Sequence, residues 1–182
     1  MGNMFETDRL ILQRPKLDDL DDLFHLCSNP EVNQYNPAGA DRSIDDSKRT
    51  LAGFIADWDN DQVGYYSARI KTSGEYLGYI AVRKKLFLGI DVLNLAYRIE
   101  PKFQRQGYTY EACRFILDHL DSSISEMPVM ALTKADNIPS FQLAIKLGLI
   151  HNPRFNDYPE PGDVYLFSVG TEVSDCFSGK IL

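Results

Sequence analysis

The sequence predicts an α+β fold: a central mixed, mostly antiparallel sheet of about seven strands flanked by about four helices. Three observations predict it. Strand-like runs at 65–71, 76–83 and 92–99 follow one another with only turns between them, as in an antiparallel meander. Apolar stripes at helical spacing precede and follow this meander. The chain has 182 residues, 44% of them hydrophobic, which suffices for one core without disulfides or a structural metal. A single domain over residues 1–182 is therefore expected.

Taken in order, Leu10, Leu12 and Arg14 alternate with Ile11 and Gln13 in a short half-buried strand, which Pro15 ends because it cannot donate to a ladder. Leu17, Leu20, Phe24 and Cys27 then fall at helical spacing. Asp18, Asp19, Asp21 and Asp22 occupy the first turn, where carboxylates favour the positive end of the helix dipole. Residues 28–42 hold Pro30, Pro37 and Gly39 and read as a polar loop, long enough to be a lid. A second helix opens near Ser43 or Asp45, carries Leu51, Phe54, Ile55 and Trp58, and closes in the Asp59-Asn60-Asp61 turn.

The meander follows, with Ser73-Gly74 and Gly89 in its turns. After Pro101 the pattern becomes helical, with Tyr108, Ala112, Phe115 and Ile116 on one stripe, and then returns to a strand at 129–133. A last helix over 138–147 precedes strands near 150–155 and 164–169, and residues 170–182 form a C-terminal tail.

Composition narrows the function. Nineteen Lys and Arg against 26 Asp and Glu give a formal charge of -7, and no basic cluster exceeds Arg83-Lys84-Lys85. A nucleic-acid partner is not expected, because a phosphate backbone must meet a basic face. No apolar run spans a membrane, and Glu6 and Asp8 stand where a signal peptide needs apolar residues, so no membrane partner and a cytoplasmic location are expected. Cys27, Cys113 and Cys176 are widely spaced and suggest buried, reduced thiols. His25, His119 and His151 are isolated, so no metal site is expected.

The segment Tyr97-Arg98-Ile99-Glu100-Pro101-Lys102-Phe103-Gln104-Arg105-Gln106-Gly107-Tyr108-Thr109 carries the chemistry. A strand ends, a tight loop turns, and a helix begins directly after a glycine. Backbone N–H groups left unpaired at such a helix start form an anion cradle suited to a pyrophosphate, and Gly107 allows close approach. An ordinary strand-to-helix turn fits the same spacing. A dinucleotide fingerprint is excluded, since Gly107 is alone between Gly89 and Gly148, and no P-loop, nucleophile elbow or zinc-protease helix occurs.

The loop resembles the acyl-CoA pyrophosphate motif Q/R-x-x-G-x-G/A of the GNAT superfamily of acetyltransferases, with Gln104, Gly107 and Thr109 at the marked positions. Thr109 departs from the small residue of that pattern. Downstream, Asn137, Ser140 and Gly148-Leu149 correspond to the N-x-x-S and G-F positions, and residues 7–15 resemble the T-x-R-L-x-L-R opening of the RimJ/RimL branch. The resemblance covers about residues 6–169.

It implies a GNAT-like acyl-CoA acyltransferase fold and direct transfer of an acetyl group from acetyl-CoA, a co-substrate, to a primary amine on a small molecule or a protein amino terminus. It further implies cofactor contacts from Ile99, Gln104, Arg105, Gln106, Gly107, Tyr108, Thr109, Asn137 and Ser140, with the strand 94–99 pairing the pantetheine arm. Ser140 is the implied proton donor, because the position seven residues after Asn137 is Ala144 where many relatives place a Tyr. The strand position where the branch often carries a Glu is Asn94, so no base is named; Asp91, Glu100 or a water chain could substitute. The alternative is a catalytically silent acyl-CoA-binding module. The net acidity favours a cationic acceptor, and a monomer or a homodimer is expected.

Overall fold

The structure, a computed structural model, describes residues 4–61, 63–157 and 160–168. The described elements are β1 (Met4–Glu6), β2 (Leu10–Gln13), α1 (Leu20–Ser28), α2 (Ile44–Asp61), β3 (Tyr65–Ile70), β4 (Tyr76–Phe87), β5 (Ile90–Ile99), α3 (Tyr108–Asp118), β6 (Val129–Lys134), α4 (Ile138–Lys146), β7 (Leu149–His151) and β8 (Asp163–Ser168). The strands form an eight-stranded sheet in the order β1-β2-β3-β4-β5-β6-β8-β7. Pairing is antiparallel for β1–β2, β2–β3, β3–β4, β6–β8 and β7–β8, and parallel for β5–β6. This is the predicted α+β architecture with one strand more. The chain falls into two compact units, Met1–Arg83 with Ala96–Leu120 and Lys84–Leu95 with Asp121–Leu182.

In the first unit β2 alternates as expected, Leu10 and Leu12 being fully buried. The additional strand β1 was illegible because three residues carry no periodicity. Its Phe5 ring meets Tyr66 at 6.2 Å and Phe115 of α3 at 5.8 Å. A core of Leu23, Leu26, Cys27, Leu51, Phe54, Tyr76 and Tyr79 joins α1 and α2 to β4. Phe54 stacks on Tyr65.

The apolar stripe of α1 differs from the expected one. Leu17 is 72% exposed and sits in a 3-10 turn, Leu17–Asp19, so the helix proper begins at Leu20 and buries Leu23, Leu26 and Cys27. The change of helical pitch shifts the phase of every residue after it. Asp19, expected as a helix-dipole partner, is 2% exposed and accepts hydrogen bonds from Ser67 Oγ at 2.8 Å and Arg69 Nη2 at 2.8 Å. Arg69 also reaches Asp22 at 2.7 Å, so these acidic residues serve an ion pair. The 28–42 loop is held by buried Asn33, whose Nδ2 donates to the carbonyls of Cys27 and Asn29, each at 2.8 Å, satisfying orphan acceptors at the end of α1.

In the second unit β6 lies between β5 and β8, with Asn94 opposite Met130 and Ala131 opposite Leu166. Phe87, Val92, Met130, Phe155, Tyr165 and Phe167 form its core. The strand expected over 150–155 is interrupted: β7 ends at His151 and Pro153–Phe155 is a 3-10 turn, because Pro153 has no N–H for a ladder. Both arms of the β4–β5 hairpin are longer than expected and meet in a two-residue turn, Leu88 and Gly89, each with positive φ (49° and 83°). Cys27 and Cys113 are buried free thiols. Cys176, with the rest of the 170–182 tail, lies outside the described residues.

Candidate cofactor-binding site

The first unit contains the whole predicted loop. β5 ends at buried Ile99, and the backbone N–H of Glu100 bonds the Leu77 carbonyl at 2.9 Å, anchoring the point where the chain leaves the sheet. A 3-10 turn, Pro101–Phe103, follows. Gln104 Nε2 then donates to the Ile99 carbonyl at 3.1 Å and Gln106 Nε2 to the Lys102 carbonyl at 2.7 Å, so both glutamine side chains stitch the loop to itself.

Arg105 and Gly107 adopt left-handed conformations (φ 61° and 81°) on either side of Gln106. Gly107 is the N-cap of α3, and no side chain caps the helix. Alternating handedness at a helix start turns successive N–H groups toward one side, which is the donor set an anion requires. A side chain at position 107 would find room, its Cβ standing 3.5 Å from Arg9 Nη2; conformational strain is what selects glycine there. Tyr108 and Thr109, half-buried, form the first turn.

A second set of residues, whose contact with the loop no sequence pattern announced, holds it. Arg9, just before β2, donates from Nη1 to the Gln106 carbonyl at 3.0 Å and from Nε to Glu111 Oε2 at 2.6 Å. Glu111, in the first turn of α3, also accepts from the Arg9 backbone N–H at 2.9 Å and from Thr7 Oγ1 at 2.5 Å. Burial alone would raise the Glu111 pKa; the bonds from Thr7 and Arg9, with the Arg9 charge, outweigh it and hold the carboxyl below its ordinary range. The Arg9 guanidinium lies 4.2 Å over the Tyr108 ring.

In the second unit Asn137 is the N-cap of α4, its Oδ1 accepting from the Ser140 backbone N–H at 3.3 Å. Its Nδ2 has no bonding partner among the described residues. Gly148 ends the helix with φ 93°. Ala144 is buried, as is Asn94 on β5, whereas Asp91 is exposed. Glu100, in the first unit, is buried with Oε1 3.9 Å from His25 Nε2. His119 stacks on Phe115, and His151 Nε2 lies 2.7 Å from Asn156 Oδ1, so each histidine belongs to a surface contact.

No helix among the described residues is long and apolar enough to cross a membrane. A family model described as an acetyltransferase (GNAT) domain matches residues 9–150. The "Uncharacterized N-acetyltransferase p20" of Bacillus licheniformis is 26% identical over 172 residues, covering 90% of this chain and 93% of that protein. Among solved structures, RimL, a ribosomal L7/L12 alpha-N-protein acetyltransferase in complex with coenzyme A, superposes with a TM-score of 0.72 at 15% identity, covering 90% and 96% of the two chains. The spermidine N-acetyltransferase of Vibrio cholerae in complex with CoA and spermine gives 0.68 at 13% identity, covering 88% and 94%.

Proposed function

The chain belongs to the acetyltransferase (GNAT) domain family of acetyl-CoA-dependent N-acetyltransferases, and from that premise we propose that it transfers the acetyl group to a primary amine of a small molecule or a peptide amino terminus. The observation that carries this reading is the uncapped start of α3, with left-handed Arg105 and Gly107 behind it, as the seat of the pyrophosphate. Gln104, Gln106, Tyr108 and Thr109 complete that seat. The two glutamines act by bracing the loop, since their amides are already engaged with backbone carbonyls. The backbone of β5 up to Ile99 pairs the pantetheine arm, and the Nδ2 group of Asn137 supplies a further donor to it. In this reading residues 1–182 act as one catalytic domain; the family match supports it by including residues of both units.

The reaction forms one N–C bond and breaks one C–S bond. The neutral amine attacks the thioester carbonyl, the tetrahedral oxyanion collapses, and the departing thiolate takes a proton from the Ser140 hydroxyl, which we assign as donor; the proton that the nitrogen sheds on becoming an amide passes through water and restores that hydroxyl. An α-amino group, with a pKa near ~8, needs less deprotonation at neutral pH than a lysine-like amine near ~10.4. The formal charge of -7 favours a cationic acceptor by steering. Two neighbours of this fold support amine acceptors by name: RimL, an alpha-N-protein acetyltransferase, and the spermidine enzyme, in complex with CoA and spermine.

The test is a screen of polyamines, aminoglycosides, amino acids and peptide amino termini with acetyl-CoA, read by thiol release. Turnover with one acceptor class is expected. Ala144 and Asn94, which stand where the family resemblance implies proton-handling groups, favour a second reading, a silent acyl-CoA-binding module. Tight binding of acetyl-CoA with no thiol release on any amine would support it.

A further inference from the structure

We propose that Arg9 is a positioning residue of the cofactor loop: it holds the Gln106 carbonyl so that the N–H of Gly107 is turned into the phosphate seat. The inference rests on the reading of that seat given above and names the device that orients it.

The argument starts from the peptide plane. In a trans peptide the carbonyl of one residue and the N–H of the next point in opposite directions, so fixing the Gln106 oxygen fixes the Gly107 N–H. Left alone, this peptide has a nearly free choice, because glycine populates both signs of φ with little penalty. The 3.0 Å bond from Arg9 Nη1 to the Gln106 oxygen removes that choice. The carbonyl faces Arg9 and the N–H faces away from it.

Such a device works only if Arg9 is itself immobile. Its Nε is paired with Glu111 Oε2 at 2.6 Å, its own N–H with Glu111 Oε1 at 2.9 Å, and its carbonyl oxygen accepts from the Lys71 N–H at 2.8 Å. Glu111 is a residue of α3, so the helix that follows the loop grips the same side chain that orients the loop. Thr7 Oγ1 donates to the same carboxylate, at Oε1. The guanidinium also offsets the charge of Glu111, which would otherwise stand bare within one helical turn of an anion seat. A lysine ammonium lacks the planar fork needed to reach the carboxylate and the carbonyl in these two directions together.

The experiment is calorimetric titration of the wild-type chain and of the Arg9→Ala, Arg9→Lys and Arg114→Ala variants with acetyl-CoA and with S-acetylpantetheine, which has the thioester arm but no phosphates. Arg9→Ala is expected to bind acetyl-CoA about tenfold more weakly, the loss typical of one charge-assisted hydrogen bond, and S-acetylpantetheine as wild type does. Arg9→Lys is expected to recover less than half of that loss, and serves alone if the alanine variant does not fold. Arg114→Ala, which removes the exposed ion pair with Asp118 in the C-terminal half of α3, is expected to leave both affinities unchanged. Wild-type affinity in Arg9→Ala, equal loss on both ligands, or full rescue by lysine would overturn the positioning role while leaving the phosphate seat in place. A wild-type chain that binds both ligands equally well would instead overturn the seat itself, and the role of Arg9 with it.

Discussion

A methyl group on Gly78 would lie 2.1 Å from the carbonyl oxygen of Arg98. The φ of Gly78 is also 138°, a backbone that side chains rarely adopt. The missing Cβ is what lets β4 approach β5 next to Ile99, the last residue before the cofactor loop. Gly78→Ala is expected to cost about 3 kcal/mol or more, since overpacking and backbone strain act at the same atom. Urea unfolding measures this, and a loss under ~1 kcal/mol would show that the two strands can separate without penalty.

Asn137 caps α4, and the proposed function gives it a second, separable duty toward the cofactor. Asn137→Ala removes the cap from the Ser140 N–H and is expected to cost about 1 kcal/mol of stability. Asn137→Asp keeps a capping oxygen but loses the amide donors; stability should stay within ~0.5 kcal/mol of wild type, while acetyl-CoA affinity falls about tenfold. Parallel unfolding and calorimetry check this. Wild-type affinity in the aspartate variant would reduce Asn137 to a cap.

Ser140→Ala is expected to lower kcat by at least about tenfold with the true acceptor, the lower end of what acid catalysis contributes, a larger change than any it makes in acetyl-CoA affinity. A smaller loss of kcat removes Ser140 from the proton path.

Glu111 makes a pH prediction. Its folded pKa is lowered, so its contribution to stability is fully present above the unfolded value near 4.5 and is lost as pH falls through the folded value. The stability gap between wild type and Glu111→Gln should therefore be constant around pH 7 and shrink below about pH 4.5. Thermal unfolding of both chains from pH 7 to pH 3 measures it. A gap that widens on acidification would contradict the assignment.

The local structure around Gln104 to Thr109 was legible because a strand, a lone glycine and a helix start follow one another within a dozen positions, and each has a local signature. The same holds for the cap at Asn137 and the stop at Gly148. What stayed hidden was set by longer range or by subtler local geometry. Thr7, Arg9 and Glu111 meet across about a hundred residues, and no periodicity pairs such positions. Asp19 looked like a dipole partner until Arg69, brought in by strand β3, made it the buried half of an ion pair. Leu17 matched the helical spacing of Leu20 and Phe24, yet a 3-10 turn put it in solvent.

The central claim is that the left-handed turn at Gly107 seats the phosphates of acetyl-CoA. Calorimetric titration of acetyl-CoA into the wild-type chain and into Gly107→Glu tests it most directly, with circular dichroism confirming that the variant is folded. The predicted result is saturable binding by wild type and a loss of at least about a hundredfold in the variant, where a carboxylate meets the phosphates and the backbone loses its left-handed turn. A folded variant that binds acetyl-CoA as tightly as wild type, or a wild-type chain with no measurable binding, would contradict it.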